Sequence, residues 1–268
     1  MSFSIAGKTA IVTGAASGVG LAIGRHFVES GANVVFADAD QARLRDEVGR
    51  LDGGGEGTAR LFAGNLREKL CLANLLSTAI EAFDRVDILV NAQRQVLAGD
   101  PLDPEDDAVE TLIQENLLTA LRLTQLTAKR MIAQAEEEDD GPAGAIVNLS
   151  SIAARRTHPE LLAYSVSMAA LDQMTRSMAV ALAPRRIRVN AVAFGSVMSA
   201  SLKGAIRDQA GIRADITGHT PIGRIAAPAE VAETVQYLAS DGAGFVTGQI
   251  VTVDGGRTLI DPVAAPAH

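Results

Sequence analysis

Residues 9–20 read Thr-Ala-Ile-Val-Thr-Gly-Ala-Ala-Ser-Gly-Val-Gly and decide the fold. The apolar and β-branched residues at the start predict a buried strand, and an amphipathic stretch of helical length follows. Glycines between a strand and a helix permit a tight turn and let the backbone approach a pyrophosphate. The helix N-terminus then binds that group through its N–H donors and its dipole. The stretch therefore predicts a dinucleotide-binding turn, with Gly14, Ser17, Gly18, Val19 and Gly20 as its binding residues.

An aspartate stands where the ribose of such a nucleotide would lie. Asp38 follows Gly20 by eighteen residues, at the end of the second apolar run. A carboxylate there can accept both hydroxyls of the adenosine ribose and would repel a 2′-phosphate. Ser17, rather than an arginine, occupies the neighbouring turn position. These residues predict NAD (NADH) as the cofactor rather than NADP.

Strand-like and helix-like segments alternate along the chain. The apolar runs are Thr9–Thr13, Asn33–Ala37, Val86–Val90, Ala145–Leu149, Ile187–Val192 and Ile250–Val253. Amphipathic stretches between them include Leu21–Ser30, Arg67–Phe83, Thr111–Ala135 and Leu162–Ala183. Such alternation predicts right-handed βαβ units and a parallel sheet with helices on both faces. No long linker interrupts it, so residues 1–268 are expected to form a single domain, with a substrate lid at about residues 197–220.

Composition excludes several other classes of protein. The net charge of −8 argues against a nucleic-acid partner, and a single cysteine excludes a disulfide framework. No metal site is predicted. No apolar run approaches the roughly 20 residues that a membrane span needs, and the first residues lack the pattern of a secretory signal. We therefore expect a cytoplasmic protein with no membrane partner.

Further motifs follow the glycine turn and the aspartate in a fixed order. They are Asp87-Ile88-Leu89-Val90-Asn91, Asn148-Leu149-Ser150-Ser151, Tyr164, Pro221-Ile222-Gly223-Arg224, Thr247-Gly248-Gln249 and Val253-Asp254-Gly255-Gly256. In this combination the sequence resembles the short-chain dehydrogenase/reductase family. The resemblance implies a Rossmann-like, doubly wound parallel sheet of seven strands. It also implies hydride transfer between NAD(H) and a small-molecule alcohol or carbonyl substrate.

The resemblance implies roles for particular residues. Tyr164 would pass a proton to or from the substrate oxygen, Ser151 would hydrogen-bond the same oxygen, and Asn116 would hold a water that leads to bulk solvent. The implied cofactor contacts outside the glycine turn are Asp38, Asn65, Leu66, Asn91, Ala92, Tyr164 and Val197. The long helices resemble those that build the family's oligomers, so a homotetramer or a homodimer is expected.

The active-site pattern departs from the family at three places. The family's Tyr-x-x-x-Lys reads Tyr164-Ser165-Val166-Ser167-Met168, which puts a methionine on the helical face where the ammonium should lie. In the family that lysine holds the nicotinamide ribose and lowers the tyrosine pKa. A unit charge at 5 Å and an effective dielectric near 20 is worth about 3 kcal/mol. The family's Asn-Asn-Ala-Gly reads Asn91-Ala92-Gln93-Arg94, and its Pro-Gly after the sixth strand reads Phe194-Gly195.

Two interpretations of these changes remain open. The chain fits a protein that has relaxed or lost its dehydrogenase chemistry, as in a catalytically inactive NAD-binding or scaffold subunit. It also fits a rearranged site in which Arg94, at the carboxyl end of a central strand, supplies the missing positive charge. We favour an NAD(H)-dependent oxidoreductase, with reduced or altered activity, because Asn116, Ser151 and Tyr164 are all present.

Overall fold

The sheet has seven parallel strands in the order β3-β2-β1-β4-β5-β6-β7. This is a computed structural model, and it describes residues 3–49, 51, 57–135 and 141–261. The strands are β1 (Thr9–Thr13), β2 (Asn33–Asp38), β3 (Ala59–Ala63), β4 (Ile88–Asn91), β5 (Gly144–Ser151), β6 (Ile187–Phe194) and β7 (Ile250–Val253). The strand order reverses between β1 and β4, which is where open sheets of this kind bind ligands at their carboxyl ends.

Helices cover both faces of the sheet. They are α1 (Gly18–Glu29), α2 (Gln41–Val48), α3 (Lys69–Phe83), α4 (Ala108–Leu112), α5 (Thr119–Ala135), α6 (Leu162–Leu182), α7 (Ala200–Asp208), α8 (Ile212–Gly218) and α9 (Pro228–Ala239). A π-helical turn, Ile113–Leu118, joins α4 to α5. Short 3₁₀ turns span Ile152–Ala154, Pro159–Leu161, Ala183–Arg185, Asp241–Ala243 and Arg257–Leu259.

Two of the three apolar clusters among the described residues cover the sheet, one on each face. The first joins Val12 of β1 to buried side chains of α1, α2 and α9. The second joins Ile11 of the same strand to α3, α5 and α6. Neighbouring strand residues point to opposite faces, which is why a strand buried on both sides appears in the sequence as an unbroken apolar run. The predicted doubly wound architecture is confirmed.

One strand and one helix differ from the sequence-based prediction. β3 was not among the predicted runs, because it lies at the sheet edge with Arg60 and Leu61 exposed. An edge strand buries less surface, so its sequence lacks the continuous apolar signal. The predicted helix Thr111–Ala135 is interrupted, since the π-helical turn replaces α-helical hydrogen bonding over six of its residues.

The segment at residues 197–220, predicted as a lid, carries α7 and α8. Helix α7 buries no side chain and α8 buries Ile216 alone, so the rest of the fold holds this segment weakly. Its role as a lid stays a prediction. Within the described residues, no helix is both long enough and apolar enough to cross a bilayer.

Candidate active site

The predicted glycine turn leads from β1 into α1 and is locked to the end of β4. The Thr13 hydroxyl accepts hydrogen bonds from the backbone N–H groups of Ala92, at 3.0 Å, and Gln93, at 3.1 Å. Gly14 has φ +63°, and a Cβ atom built on it would lie 2.8 Å from the Ala92 carbonyl oxygen and the Gln93 nitrogen. The two strand ends can therefore approach this closely only with glycine at that position.

The far end of the turn faces open space. Gly18 has φ +57°, and a Cβ atom built on it would meet nothing within 4 Å. The Ser17 side chain makes no cap hydrogen bond, although Ser17 is the N-cap of α1. The N-terminus of α1 is thus left open for an anionic ligand such as a pyrophosphate, as the fit of a dinucleotide requires.

A cavity of about 650 Å³ lies over this turn at the carboxyl ends of the strands. Its wall contains eight of the predicted cofactor residues: Gly14, Ser17, Gly18, Val19, Gly20, Asp38, Ala92 and Val197. The other lining residues are Ala39, Arg43, Gln93, Arg94, Gln95, Glu115, Leu149, Ser199, Ala200 and Ser201. The residues present fit a dinucleotide, because a long cleft joins a helix N-terminus to a carboxylate.

Asp38 is held at the cavity wall by the backbone. Its Oδ2 accepts a hydrogen bond from the Ala16 N–H at 3.0 Å, and its Oδ1 accepts one from the Asp40 N–H at 3.1 Å. Each carboxylate oxygen has a second lone pair. The side chain is therefore oriented by the fold and can still accept hydroxyl groups of a ligand.

Four predicted cofactor residues stand outside the lining of this cavity: Tyr164, which is described below, and Asn91, Leu66 and Asn65. Asn91 is buried, and its amide donates to Thr124 Oγ1 at 3.1 Å and to Asn148 Oδ1 at 2.8 Å, so its side chain ties the sheet to α5. Leu66 is buried in the core. Asn65 is exposed, and its Oδ1 accepts a hydrogen bond from the Arg67 backbone at 3.2 Å. Their cofactor contacts stay predictions.

The predicted catalytic tyrosine lies in the first turn of α6, beside the end of β5. Tyr164 is 4% exposed, and an arginine side chain reaches it from the loop after β4. Arg94 Nη1 donates a hydrogen bond to Tyr164 Oη at 2.9 Å. The same guanidinium lies over the Phe194 ring, with Cζ 4.3 Å from the ring centroid. The three positions that depart from the family pattern, Arg94, Phe194 and Met168, therefore lie around Tyr164, since Met168 follows the tyrosine by one turn of α6.

Met168 has no exposed surface and packs in an apolar cluster with Leu112, Ala163, Tyr164 and Leu171. Its side chain lies on the same helical face as the tyrosine, as the spacing of four residues predicts. Met168 thus leaves this side of Tyr164 uncharged. The Arg94 contact is in keeping with the second interpretation of the sequence, in which Arg94 supplies the missing positive charge, and that role stays a prediction.

Asn116 lies in the π-helical turn and fixes that loop. Its Oδ1 accepts from the Gln95 N–H at 2.7 Å, and its Nδ2 donates to the Gln95 carbonyl at 3.0 Å and to Ser167 Oγ at 3.1 Å. The backbone N–H and C=O groups of Gln95, the residue after Arg94, are therefore both held by the Asn116 side chain. The predicted role of Asn116 in holding a water stays a prediction.

Ser151 ends β5, and its Oγ accepts a hydrogen bond from the Ala153 N–H at 3.1 Å. Its neighbour Ser150 points the other way and donates to Asp172 Oδ1 at 2.6 Å. Burial raises the pKa of the Asp172 carboxyl, and Ser150, Arg155 and Arg176 lower it by a smaller amount. Sequence reasoning missed this carboxyl, although its spacing of eight residues from Tyr164 puts both on one face of α6.

The chain matches a family model described as enoyl-(acyl carrier protein) reductase over residues 14–258. It is 36% identical to cis-4-hydroxycyclohexanecarboxylate dehydrogenase of Sinomonas cyclohexanicum, over 97% of this chain and 100% of that protein. Among solved structures it is similar to a 7α-hydroxysteroid dehydrogenase complexed with NADH and 7-oxo glycochenodeoxycholic acid. That similarity has a TM-score of 0.86 and 31% identity, and it covers 95% of this chain and 96% of the other.

A short-chain type dehydrogenase/reductase from Mycobacterium ulcerans also has a TM-score of 0.86, at 28% identity, over 96% of this chain and 91% of the other. Proteins named as dehydrogenases and reductases thus match nearly the whole chain in sequence and in fold. The chain is an oxidoreductase, and it belongs to the short-chain dehydrogenase/reductase family.

Proposed function

We propose that this protein is an NAD(H)-dependent oxidoreductase for an alcohol or carbonyl substrate, in which Arg94 takes over the electrostatic role of the absent lysine. The observation that carries the proposal is the 2.9 Å hydrogen bond from Arg94 Nη1 to Tyr164 Oη. A guanidinium stays protonated at any pH at which an enzyme works. Arg94 is therefore a permanent cation in direct contact with the group that would exchange the proton.

The residues divide the chemistry as follows. In the oxidative direction, the substrate O–H gives its proton to the Tyr164 phenolate, and the C–H bond breaks with its electron pair. A bound nicotinamide would supply the hydride acceptor for that pair. Ser151 would hydrogen-bond the substrate oxygen, and the Arg94 guanidinium would stabilise negative charge on Tyr164 Oη. In the reductive direction the tyrosine returns the proton.

Two features support an active enzyme over an inactive subunit. The Arg94 guanidinium stacks on the buried ring of Phe194, and this cation–π contact holds it beside the tyrosine. Asn116 holds the peptide of Gln95, the residue that follows Arg94. Arg94 therefore contacts both Tyr164 and Phe194. Unrelated substitutions in a protein that had lost its activity would not be expected to produce residues that contact one another in this way.

The test is a cycle of three variants: Arg94→Gly, Met168→Lys, and the two combined. Initial rates of oxidation with NAD⁺ would be measured for a panel of secondary alcohols between pH 6 and 10. Arg94 is an exposed residue, so water screens part of its charge, and the roughly 3 kcal/mol of a unit charge at 5 Å, about 100-fold in rate near pH 7, is an upper limit for its effect. We expect Arg94→Gly to lose up to about 100-fold and to move the limb on which the oxidation rate rises with pH to higher pH.

Met168→Lys alone should gain little, because a second cation would repel the first. In the Arg94→Gly background the same lysine should recover much of the lost rate, so the two changes would be strongly non-additive. Met168 is fully buried, so melting temperatures of all three variants and of Met168→Leu would verify folding. Equal effects of Met168→Lys in both backgrounds, or full activity of Arg94→Gly, would contradict the role of Arg94.

A further inference from the structure

Arg94 carries a charge that Tyr164 alone does not neutralise, at the place where the substrate oxygen must bind. We infer that this guanidinium also binds a carboxylate of the substrate, and that the substrate is a 2- or 3-hydroxy acid or the matching oxo acid. The inference rests on the proposed function, because it places the substrate oxygen at Tyr164. It names the substrate class, which neither the family nor the fold determines.

The guanidinium is positioned to accept a second partner in its plane. It has five N–H donors in a rigid fork, and the Tyr164 oxygen takes one of them at 2.9 Å. The Phe194 ring, 4.3 Å from Cζ, covers one face and so holds the plane in place. Four N–H donors of the guanidinium are not used by Tyr164, and Arg94 lines the cavity over the glycine turn. That fork matches a carboxylate in shape and charge.

No carboxylate within the described residues forms an ion pair with Arg94. Glu115 lines the same cavity, but its Oε1 lies 3.2 Å from Arg67 Nη1 and its Oε2 accepts from Gln93 Nε2 at 3.3 Å. Asp38 is held by two backbone N–H groups. In a chain of net charge −8, an arginine that the nearest acids leave without a counter-ion points to an anionic ligand.

The position of the guanidinium limits where the carboxylate can be. Because Arg94 contacts Tyr164 directly, a carboxylate on its other donors is separated from the substrate oxygen by three hydrogen bonds: carboxylate to Arg94, Arg94 to Tyr164, and Tyr164 to that oxygen. This arrangement favours a carboxylate one or two carbons from the substrate oxygen, because a longer flexible chain loses more conformational freedom when it folds back to the same donors. The cofactor also carries an anion, its pyrophosphate. The turn predicted to bind that group is Gly14–Gly20, whereas Arg94 is bonded at the substrate end.

The test compares each acid with its neutral methyl ester. We would measure kcat/KM with NAD⁺ for 2-hydroxybutanoate, 3-hydroxybutanoate and 5-hydroxyhexanoate and for the three esters. The unmodified protein, Arg94→Gln, Arg94→Lys and Arg156→Gln would be used. Any effect of Arg94 on Tyr164 enters both rates, so it cancels in the acid-to-ester ratio. Arg156→Gln is the matched control, because that arginine is exposed and donates to the Thr258 carbonyl.

We expect the 2- or the 3-hydroxy acid to be preferred over its ester, and Arg94→Gln to lower that ratio about 10- to 100-fold, as loss of a charge-assisted hydrogen bond should. Arg94→Lys should retain part of the preference, and Arg156→Gln should retain all of it. 5-Hydroxyhexanoate should show a smaller acid-to-ester ratio than the preferred acid. An unchanged ratio in Arg94→Gln overturns the inference. So does a weaker NADH affinity in that variant with the ratio unchanged, since Arg94 would then serve the cofactor phosphates.

A binding measurement separates this inference from the proposed function. Isothermal titration of 2-oxobutanoate, 3-oxobutanoate and their methyl esters into NAD⁺-saturated protein requires no turnover. Tighter binding of an acid that depends on Arg94, in a protein that turns over no substrate, supports the carboxylate site and refutes the proposed function. Turnover of alcohols with equal affinity for acids and esters does the reverse.

Discussion

We predict that Asp38 determines the choice between NAD and NADP. Its carboxylate is fixed by the N–H groups of Ala16 and Asp40 at the cavity wall. We predict that NADH binds more tightly than NADPH, and that Asp38→Ala narrows the difference. Losing a charged acceptor for a hydroxyl should cost about 1.5–3 kcal/mol of NADH binding energy. Enhancement of NADH and NADPH fluorescence on titration with protein would measure both affinities.

Asp46→Ala provides the matched control, since Asp46 is an exposed aspartate of α2 that does not line the cavity. It should leave both affinities as they are. Tighter binding of NADPH by the unmodified protein would show that Asp38 does not select the cofactor, and Arg43 in the same wall would become the residue to test.

At the scale of single residues, sequence motifs predict position better than they predict contact. Arg94 follows β4, Phe194 ends β6, and Tyr164 lies in the first turn of the helix after β5. The carboxyl ends of parallel strands share one edge of the sheet. The sequence therefore placed them in one region. The 2.9 Å bond between side chains 70 residues apart depends on the path of a loop and on rotamers. Neither leaves a periodic signal in the sequence.

Among the elements, β5 and α6 together hold Ser151 and Tyr164 in register. A buried hydrogen bond, Ser150 Oγ to Asp172 Oδ1 at 2.6 Å, joins the strand to the helix one residue from Ser151. Asp172 is 4% exposed, and burial raises the pKa of its carboxyl, with Arg155 and Arg176 opposing the rise. A carboxyl whose pKa is raised on folding stabilises the fold below its unfolded pKa. That contribution is lost as the pH rises through the folded value.

We therefore predict that Asp172→Asn, which keeps an acceptor for Ser150 and cannot ionise, gains stability relative to the unmodified protein as the pH rises from 4 to 8. Asp172→Leu should instead lose about 1–3 kcal/mol, because it leaves the Ser150 hydroxyl buried without its acceptor. Urea unfolding at several pH values would measure the free energies. If the difference between Asp172→Asn and the unmodified protein did not change with pH, ionisation of Asp172 would not contribute to stability.

Element prediction succeeded where burial is continuous and failed where it is not. The runs at β1 and β7 match the observed strands residue for residue, and both strands carry β-branched side chains. The edge strand β3 and the weakly packed α7 and α8 were not predicted because they bury few side chains.

The π-helical turn was not predicted for another reason. The residues Ile113–Leu118 carry no periodic signal that distinguishes i→i+5 hydrogen bonding from that of an α-helix.

For the molecule as a whole, the outer face of α6 exposes aliphatic side chains towards both of its ends. Leu162, Val166 and Val180 are exposed, Val180 to 78%. At about 100° per residue the three lie within roughly 40° of one another around the helix axis, and the polar Gln173 lies between them on the same face. Exposed aliphatic side chains on one helix face are a candidate contact between subunits. Together with the family resemblance, it supports the predicted homo-oligomer.

We predict that the protein is a homo-oligomer that assembles through this face of α6. Light scattering after size exclusion should give a mass that is a multiple of 27.9 kDa at micromolar concentration. Val180→Glu should shift it toward a smaller species, because two related helices would then bury a carboxylate against apolar side chains without a partner. Leu70→Glu is the matched control, since Leu70 of α3 is also apolar and 73% exposed but lies on a different helix. An unmodified protein that is monomeric, or a Val180→Glu variant of unchanged mass, would show that this face of α6 does not form the contact. Val180 lies four turns from Tyr164 along α6, so a loss of activity in that variant would indicate that the subunit contact itself supports the active site.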